Sequence, residues 1–172
     1  QDKFLFVGGW HDGKVTEMRL NEDGTIGEMT DEIFHKGLGS VAERNFRPHV
    51  NCVNITPDQK YLCAVDLGVD QVKIYKFNHE TGKITLVDML RCELESAPRI
   101  IKFSPDGRFA YLICELKNSI SVYSYKDGPR GPVFELLQTI STLNDYHSSG
   151  SAACVLRFSR DWNYVLCSNA GD

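Results

Sequence analysis

The sequence has no apolar run near the roughly 18 residues that a membrane-spanning helix needs. It also lacks the basic segment followed by an apolar segment that would form a signal peptide at its start. Positive charge is scarce, because 19 lysines and arginines face 23 aspartates and glutamates, for a net charge of −4 over 172 residues. The basic surface of a nucleic-acid-binding protein is therefore missing. We expect a cytoplasmic protein that binds neither a membrane nor nucleic acid.

Closely spaced metal ligands are also missing. The six cysteines are well separated, and the nearest pair, Cys52 and Cys63, is 11 residues apart. The five histidines show no H-x₃-H pairing, so neither zinc-site spacing is present. Most of the cysteines lie in or beside apolar segments. The sequence therefore predicts reduced, largely buried thiols and neither a structural metal nor a cofactor.

What the sequence does contain is a repeated unit of two short strands. Residues 100–103 and 109–113 are apolar, and Ser104-Pro105-Asp106-Gly107 between them has strong turn chemistry. The unit recurs at residues 53–67 and 155–170, and its second strand alone matches residues 2–7. Equivalent positions are separated by 57, 48 and 55 residues, namely at Lys3, Lys60, Arg108 and Asn163. Repeats of about 40 to 50 residues built from short strands indicate β-propeller blades.

The fold class predicted is therefore all-β, with propeller blades of four antiparallel strands. We place a partial blade at residues 1–46, complete blades at 47–97 and 98–150, and a partial blade at 151–172. The segment 127–132, which contains two prolines and two glycines, is expected to be a rigid loop between two strands. Because both end blades are incomplete, we expect the ring to be closed by the remainder of a longer chain or by a second copy.

Polar residues stand where the inner strands of these blades end, and such ends line the central channel of a propeller. His49 and Asn51 are two residues apart and so share one face of a strand. Counted back from the Ser or Thr of the turn, Asn51 is equivalent to Arg99. We expect these three residues to converge on one pocket with the residues that follow the next strands, Asp66 and Glu115. Asn169 holds the corresponding position in the last unit.

These residues lie in a series of motifs that resembles a known family. The motifs are Pro48-His49, Asp66-Leu67-Gly68, Ala97-Pro98-Arg99, Cys114-Glu115-Leu116 and Ser168-Asn169-Ala170-Gly171. Their order and spacing are similar to those of the lactonase family of seven-bladed propellers. That family includes propeller-type 6-phosphogluconolactonases and the fungal carboxy-cis,cis-muconate lactonizing enzyme.

The resemblance implies hydrolysis of a small anionic sugar lactone, with no metal or cofactor. It implies that His49, Arg99 and Glu115 are catalytic. Because Asn51, Asp66 and Asn169 are expected at the same strand ends, we predict that they bind the substrate. The family's site also has an arginine at the position held here by Ala170, so this chain departs from the pattern.

Lactone hydrolysis needs a base, positive charge for the oxyanion and a proton for the leaving alkoxide. His49 suits the base, Arg99 the oxyanion or an anionic group, and Glu115 the proton transfer or the orientation of Arg99. Each of the three also has a purely structural interpretation, as a strand-end histidine or as an interblade salt bridge. A muconate-type lactonizing isomerase and a non-catalytic scaffold for protein or ligand binding remain alternatives. Because strand ends at a solvated channel bury little apolar area, Arg99→Ala is expected to leave folding largely intact.

Overall fold

A computed structural model describes residues 3–40, 45–146 and 150–171. These parts form a 3₁₀ turn at Leu67–Val69 and thirteen strands: β1 Phe4–Gly9, β2 Lys14–Leu20, β3 Ile26–Phe34, β4 Val50–Ile55, β5 Tyr61–Asp66, β6 Gln71–Phe77, β7 Ile84–Arg91, β8 Pro98–Phe103, β9 Phe109–Cys114, β10 Ser119–Gly128, β11 Gly131–Ser141, β12 Ala152–Phe158 and β13 Val165–Ala170. No helix in the described segments is long and apolar enough to cross a membrane.

The strands form four antiparallel sheets, each built from strands that are consecutive in the chain. Two sheets have four strands, β4 to β7 and β8 to β11, and both run in chain order from the inner strand outwards. The first sheet contains β1 to β3, and the last contains β12 and β13. The prediction of an all-β fold built from four-stranded antiparallel blades is confirmed.

The turn of the repeated unit is built by the same hydrogen bonds in each copy. The Thr56 hydroxyl donates to Asp58 Oδ1 at 2.6 Å, and the amide of Tyr61 donates back to the Thr56 hydroxyl at 3.1 Å. Ser104 and Ser159 make the same 2.6 Å contact with the aspartate two residues later. In each copy the hydroxyl and the carboxylate hold the ends of the two strands together, so the side chains of the repeat specify the hairpin.

The prediction of a rigid loop at residues 127–132 is wrong. β10 continues to Gly128 and β11 begins at Gly131, so only Pro129 and Arg130 form the connection. Pro132 is even part of the ladder, opposite Asp127. The ladder tolerates this proline because β11 is the outermost strand, where one missing amide donor faces away from the sheet.

The core lies between the sheets, because each sheet packs its faces against its neighbours. The cluster between the first and second sheets includes Val15, Leu62 and Tyr75. The cluster between the second and third includes Ile74 and Leu112. β5 is buried along its whole length, which explains why its sequence shows no polar alternation.

The cysteines and the end sheets follow the predictions only in part. All six thiols are free, Cys63 and Cys114 are buried, but Cys167 is exposed. It lies on β13, which has only β12 as a neighbour in its sheet. Among the apolar residues of the two end sheets, Val7 and Leu166 are exposed, whereas Leu5 and Val165 are half-buried.

Candidate active site

Each inner strand carries a β-bulge at the same place near its start. The pairing register shifts between Val50 and Cys52, between Pro98 and Ile100, and between Ala153 and Val155. The extra residues are therefore Asn51, Arg99 and Cys154. A bulge leaves its extra residue outside the regular ladder and redirects the side chain. The equivalence of Asn51 and Arg99 is thus structural, and the same count back from Ser159 would have found Cys154, which the sequence analysis missed.

The candidate residues lie at one end of the sheets. β4 and β8 start at this end and the antiparallel strands β5 and β9 finish there, so His49, Arg99, Asp66 and Glu115 come to the same edge. The shared end agrees with the strand order read from the sequence, whereas convergence on one pocket stays a prediction. The side chains, however, divide into two directly bonded groups.

The first group is centred on His49, whose imidazole is held on several sides. Its Nδ1 lies 2.8 Å from the carbonyl oxygen of Trp10, and its ring stacks on the Trp10 ring with centroids 4.6 Å apart. The Phe46 ring is nearly perpendicular to the imidazole, with the ring centroids 5.9 Å apart. Because a carbonyl can only accept a hydrogen bond, Nδ1 carries the proton in the neutral ring. Nε2 then keeps its lone pair, as a general base requires.

Asp66 belongs to this group, but as a buried support. Its Oδ1 accepts hydrogen bonds from the amides of His49 at 2.8 Å and Gly68 at 3.1 Å. Its Oδ2 lies 2.6 Å from Nδ1 of His35. The carboxylate is fully buried. This enclosure argues against the direct substrate contact that the sequence predicted for Asp66, because both oxygens already have protein donors.

The second group is an ion pair between neighbouring strands. Arg99 Nη1 donates to Glu115 Oε2, and the side chains are 29% and 1% exposed, respectively. The backbone of Glu115 also joins two blades, since its amide donates to the Ala97 carbonyl at 2.8 Å and its carbonyl accepts from Ala153 at 3.2 Å. Charge-assisted pairs of this kind fix the plane of the guanidinium. Arg99 keeps enough exposure to meet a second anion.

Asn51 and Asn169 use their amides to join blades at the rim of the site. Asn51 Nδ2 donates to the carbonyl of Arg99 at 2.9 Å, which connects the His49 strand to the Arg99 strand. Asn169 Nδ2 donates to Asn118 Oδ1 and to the Ser151 hydroxyl, both at 3.0 Å. Asn118 in turn donates to the Ser151 carbonyl at 2.8 Å.

An open cavity of about 640 Å³ lies at this end, beside Asn169. Glu115, Asn118 and Ser151 contribute its polar lining, and Ala170 contributes a methyl group. Glu115 of the ion pair therefore lines the same cavity as Ala170, the position at which the chain departs from the pattern of the resembling family.

Four contributors to this site were not among the predicted site residues: Trp10, His35, Tyr75 and Asn118. Trp10 and His35 come from the first sheet, whereas the residues that they hold come from the second. No local spacing signals a partner on another blade, because the contact depends on how two sheets pack.

Comparison with known proteins places the whole chain in one group. The sequence model described as Lactonase, 7-bladed beta-propeller matches residues 1–172. The 6-phosphogluconolactonase of Bacillus subtilis is 30% identical over 171 residues, covering 99% of this chain and 48% of that protein.

Solved structures give the same result. A protein from Lactobacillus plantarum superposes with a TM-score of 0.88 at 29% identity, covering 98% of this chain and 48% of the other. The periplasmic gluconolactonase of Pseudomonas aeruginosa superposes with a TM-score of 0.87 at 28% identity, covering 98% and 47%.

The chain spans about half the length of the curated relatives that it matches. Four sheets in 172 residues agree with this share of a seven-bladed ring. The repeated turn, the blade-by-blade topology and the match over the full chain lead to one conclusion. This chain belongs to the seven-bladed β-propeller lactonase family.

Proposed function

We propose that the full-length protein containing this chain hydrolyses a small sugar lactone at the end of the sheets that carries His49, Arg99 and Glu115. The observation that carries the proposal is the pinned imidazole of His49 at the same edge as the Arg99–Glu115 ion pair. Membership of the lactonase family supports the reaction class. So does the name of the Bacillus subtilis relative, a 6-phosphogluconolactonase.

In this reaction His49 acts as the base. Its Nε2 takes a proton from a water molecule while the water oxygen attacks the lactone carbonyl carbon. The carbonyl π electrons move to oxygen, and the guanidinium of Arg99 stabilises the negative charge that develops there. When the tetrahedral intermediate collapses, the ring C–O bond breaks and the alkoxide receives the proton from the His49 imidazolium. Glu115 holds the guanidinium in place through its ion pair.

We further propose that the substrate is a small anionic sugar lactone. The exposed part of the Arg99 guanidinium can bind a phosphate or carboxylate group. Asn51 bonds the backbone of Arg99, and Asn169 bonds Asn118 and Ser151 of the cavity lining, so we propose that their remaining amide oxygens contact sugar hydroxyls. The remaining blades, from the rest of the chain or a second copy, would supply the other wall of the channel. A cytoplasmic location stays a prediction, since one structural neighbour is periplasmic by name.

The decisive experiment measures lactone hydrolysis by the full-length protein. His49→Gln should lower kcat about 10²- to 10⁴-fold, the contribution expected from one general base. His79→Gln is the matched control, because His79 is an exposed histidine whose Nε2 lies 2.7 Å from the Gln59 carbonyl at a hairpin turn. Its kcat should not change.

Comparing phosphorylated with unphosphorylated gluconolactone tests the substrate class, and a higher kcat/KM for the unphosphorylated compound would contradict an anionic substrate.

Equal turnover by wild type and His49→Gln would remove His49 from the mechanism. Failure to hydrolyse any lactone, combined with formation of a muconolactone from its open acid, would favour the isomerase alternative. Activity in neither direction would favour a scaffold.

A further inference from the structure

Behind His49 lies a chain of three buried side chains that takes no direct part in the proposed reaction. Tyr75, in β6, places its hydroxyl 2.9 Å from His35 Nε2. His35 follows β3, and its Nδ1 lies 2.6 Å from Asp66 Oδ2 at the end of β5. All three residues are buried. This series of hydrogen-bonded side chains therefore crosses the interface between the first and second sheets, and it ends at the Asp66 carboxylate, which bonds the amide of His49.

The protonation states of the chain follow from its donors and acceptors. A neutral His35 with its proton on Nδ1 donates to Asp66 and accepts at Nε2. Burial raises the pKa of the Tyr75 hydroxyl, so the hydroxyl keeps its proton and can donate it to the unprotonated Nε2 of this His35 tautomer. Asp66 then accepts three hydrogen bonds, from His35, His49 and Gly68. The chain is fully hydrogen-bonded and has one preferred orientation.

Asp66 transmits this orientation to the backbone around His49. One carboxylate oxygen holds the amide of His49 at 2.8 Å and that of Gly68 at 3.1 Å, while the amide of Leu67 donates to the His49 carbonyl at 3.0 Å. A rotation of the carboxylate would release both amides together. The two amides bond Oδ1, whereas Oδ2 is bonded by His35, the one side chain that hydrogen-bonds to Asp66 among the described residues.

We infer that His35 and Tyr75 are positioning residues for His49 and that they act through Asp66. The inference rests on the proposed function to the extent that His49 is the base. A displacement of about 1 Å at a catalytic group can cost on the order of 10²-fold in rate. His35 and Tyr75 therefore affect the chemical step, through the position of His49, without contacting the substrate.

The first test is Tyr75→Phe in the full-length protein, which removes the donor but keeps the buried ring. We expect kcat for lactone hydrolysis to fall roughly tenfold with KM within about twofold, since substrate-binding groups stay in place. The matched control is Tyr125→Phe. Tyr125 is also buried, and its hydroxyl donates to Asp58 Oδ2 at 3.0 Å beside a repeat turn at the opposite end of the sheets. The control should lose comparable stability and keep its kcat.

The second test reads the position of His49 without any turnover. In ¹⁵N spectra of the imidazoles, assigned with His49→Gln, the Nδ1–H bonded to the Trp10 carbonyl gives a distinct signal. We expect Tyr75→Phe and His35→Ala to shift or broaden this signal, and Tyr125→Phe to leave it unchanged. His35→Asn, which can still donate to Asp66, should restore part of the wild-type signal and of kcat.

The outcomes separate this inference from the proposed function. Suppose that Tyr75→Phe and Tyr125→Phe lose equal stability and that kcat and the His49 signal are unchanged in both. The hydrogen bonds from Tyr75 through His35 to Asp66 would then be only structural. A wild-type protein that hydrolyses no lactone would end the proposed function, while the His49 signal would still decide whether His35 and Tyr75 position that ring.

Discussion

Glu17 is a buried acid in β2, on the interface between the first two sheets. Neither of its carboxylate oxygens has a hydrogen-bond partner among the described residues. Burial, and then the nearby charge of Asp31, raise its pKa from the ordinary 4.5 to about 8, although Arg19 opposes the shift. The folded protein therefore holds this side chain protonated at neutral pH, whereas the unfolded chain releases the proton.

This difference predicts that Glu17 weakens folding as pH rises. Below pH 4.5 the Glu17 carboxyl is protonated in both the folded and the unfolded protein, so its ionisation does not change the free energy of unfolding. Between pH 4.5 and about 8 only the unfolded state ionises, so the free energy of unfolding falls by at most about 1.4 kcal/mol per pH unit. Above pH 8 the loss levels off. Urea unfolding of the full-length protein from pH 5 to 9 should show this slope in wild type and not in Glu17→Gln.

The control for this prediction is Glu28→Gln, which changes an exposed acid on the adjacent strand β3. It should keep the wild-type pH slope. If Glu17→Gln kept that slope too, another group would be responsible for it.

The Arg99–Glu115 pair changes what the sequence led us to expect for Arg99→Ala. Glu115 is only 1% exposed, so Arg99→Ala removes the ion pair of a buried carboxylate. We expect a loss of roughly 3 kcal/mol in the free energy of unfolding, the lower end for a buried pair because Arg99 is 29% exposed. If Arg99 also serves the oxyanion, kcat/KM should fall about 10²- to 10³-fold.

A double-mutant cycle measures both effects. Arg99→Ala combined with Glu115→Gln should recover part of the stability but none of the activity, because the buried charge is gone while the oxyanion donor is still missing. Additive losses of stability in the double variant would mean that the two side chains do not interact.

At the residue scale, the sequence located the candidate residues but not all of their roles. Counting from the turn fixed His49, Arg99 and Glu115 at one end of the sheets, because strand periodicity and antiparallel pairing leave little freedom. The burial of Asp66 could not be read in the same way. It depends on His35, which another sheet supplies.

At the scale of elements, most strands could be predicted closely. β8 and β9 were expected at residues 100–103 and 109–113 and run over Pro98–Phe103 and Phe109–Cys114, since the turn residues between them mark the two inner ends. The hairpin from β10 to β11 was not predicted, because two prolines and two glycines in six residues are typical of a loop. The prediction ignored that an edge strand tolerates Pro132.

The turn from Leu67 to Val69 is the element on which His49 depends most directly. A Cβ at Gly68 would lie 1.6 Å from the Arg47 carbonyl oxygen and 3.0 Å from Cδ2 of His49. Gly68→Ala must therefore move the backbone on one side of this contact. We expect a loss of about 3 kcal/mol, the upper end for overpacking, together with a lower kcat.

Unfolding and kinetic measurements check this prediction against Gly9→Ala. The added Cβ there would meet first the flexible side chain of Lys14, with Cγ at 3.1 Å. This control should lose little stability. A Gly68→Ala protein as stable and active as wild type would show that the turn can shift without disturbing His49.

At the scale of the whole molecule, the two end sheets have open edges. In the second sheet β4 covers the inner edge of β5, but in the first sheet β1 has no inner neighbour among the described strands. β13 likewise pairs only with β12. Such edges present unpaired amides and carbonyls, and Val7 at 40% and Leu166 at 53% exposure add apolar side chains beside them.

We therefore predict that the 172-residue chain, produced alone, associates through these edges. Size-exclusion chromatography with light scattering should show dimers and larger species that increase with concentration, whereas the full-length protein should elute as one defined species. Val7→Lys with Leu166→Lys should shift the isolated chain towards monomer, because a charge at an open edge opposes strand addition. The control is lysine at Val87, an exposed position on the outermost strand of the complete second sheet, and it should leave association of the isolated chain unchanged if the incomplete end sheets are responsible. A monomeric isolated chain with one cooperative unfolding transition would mean that four sheets are stable without the rest of the ring.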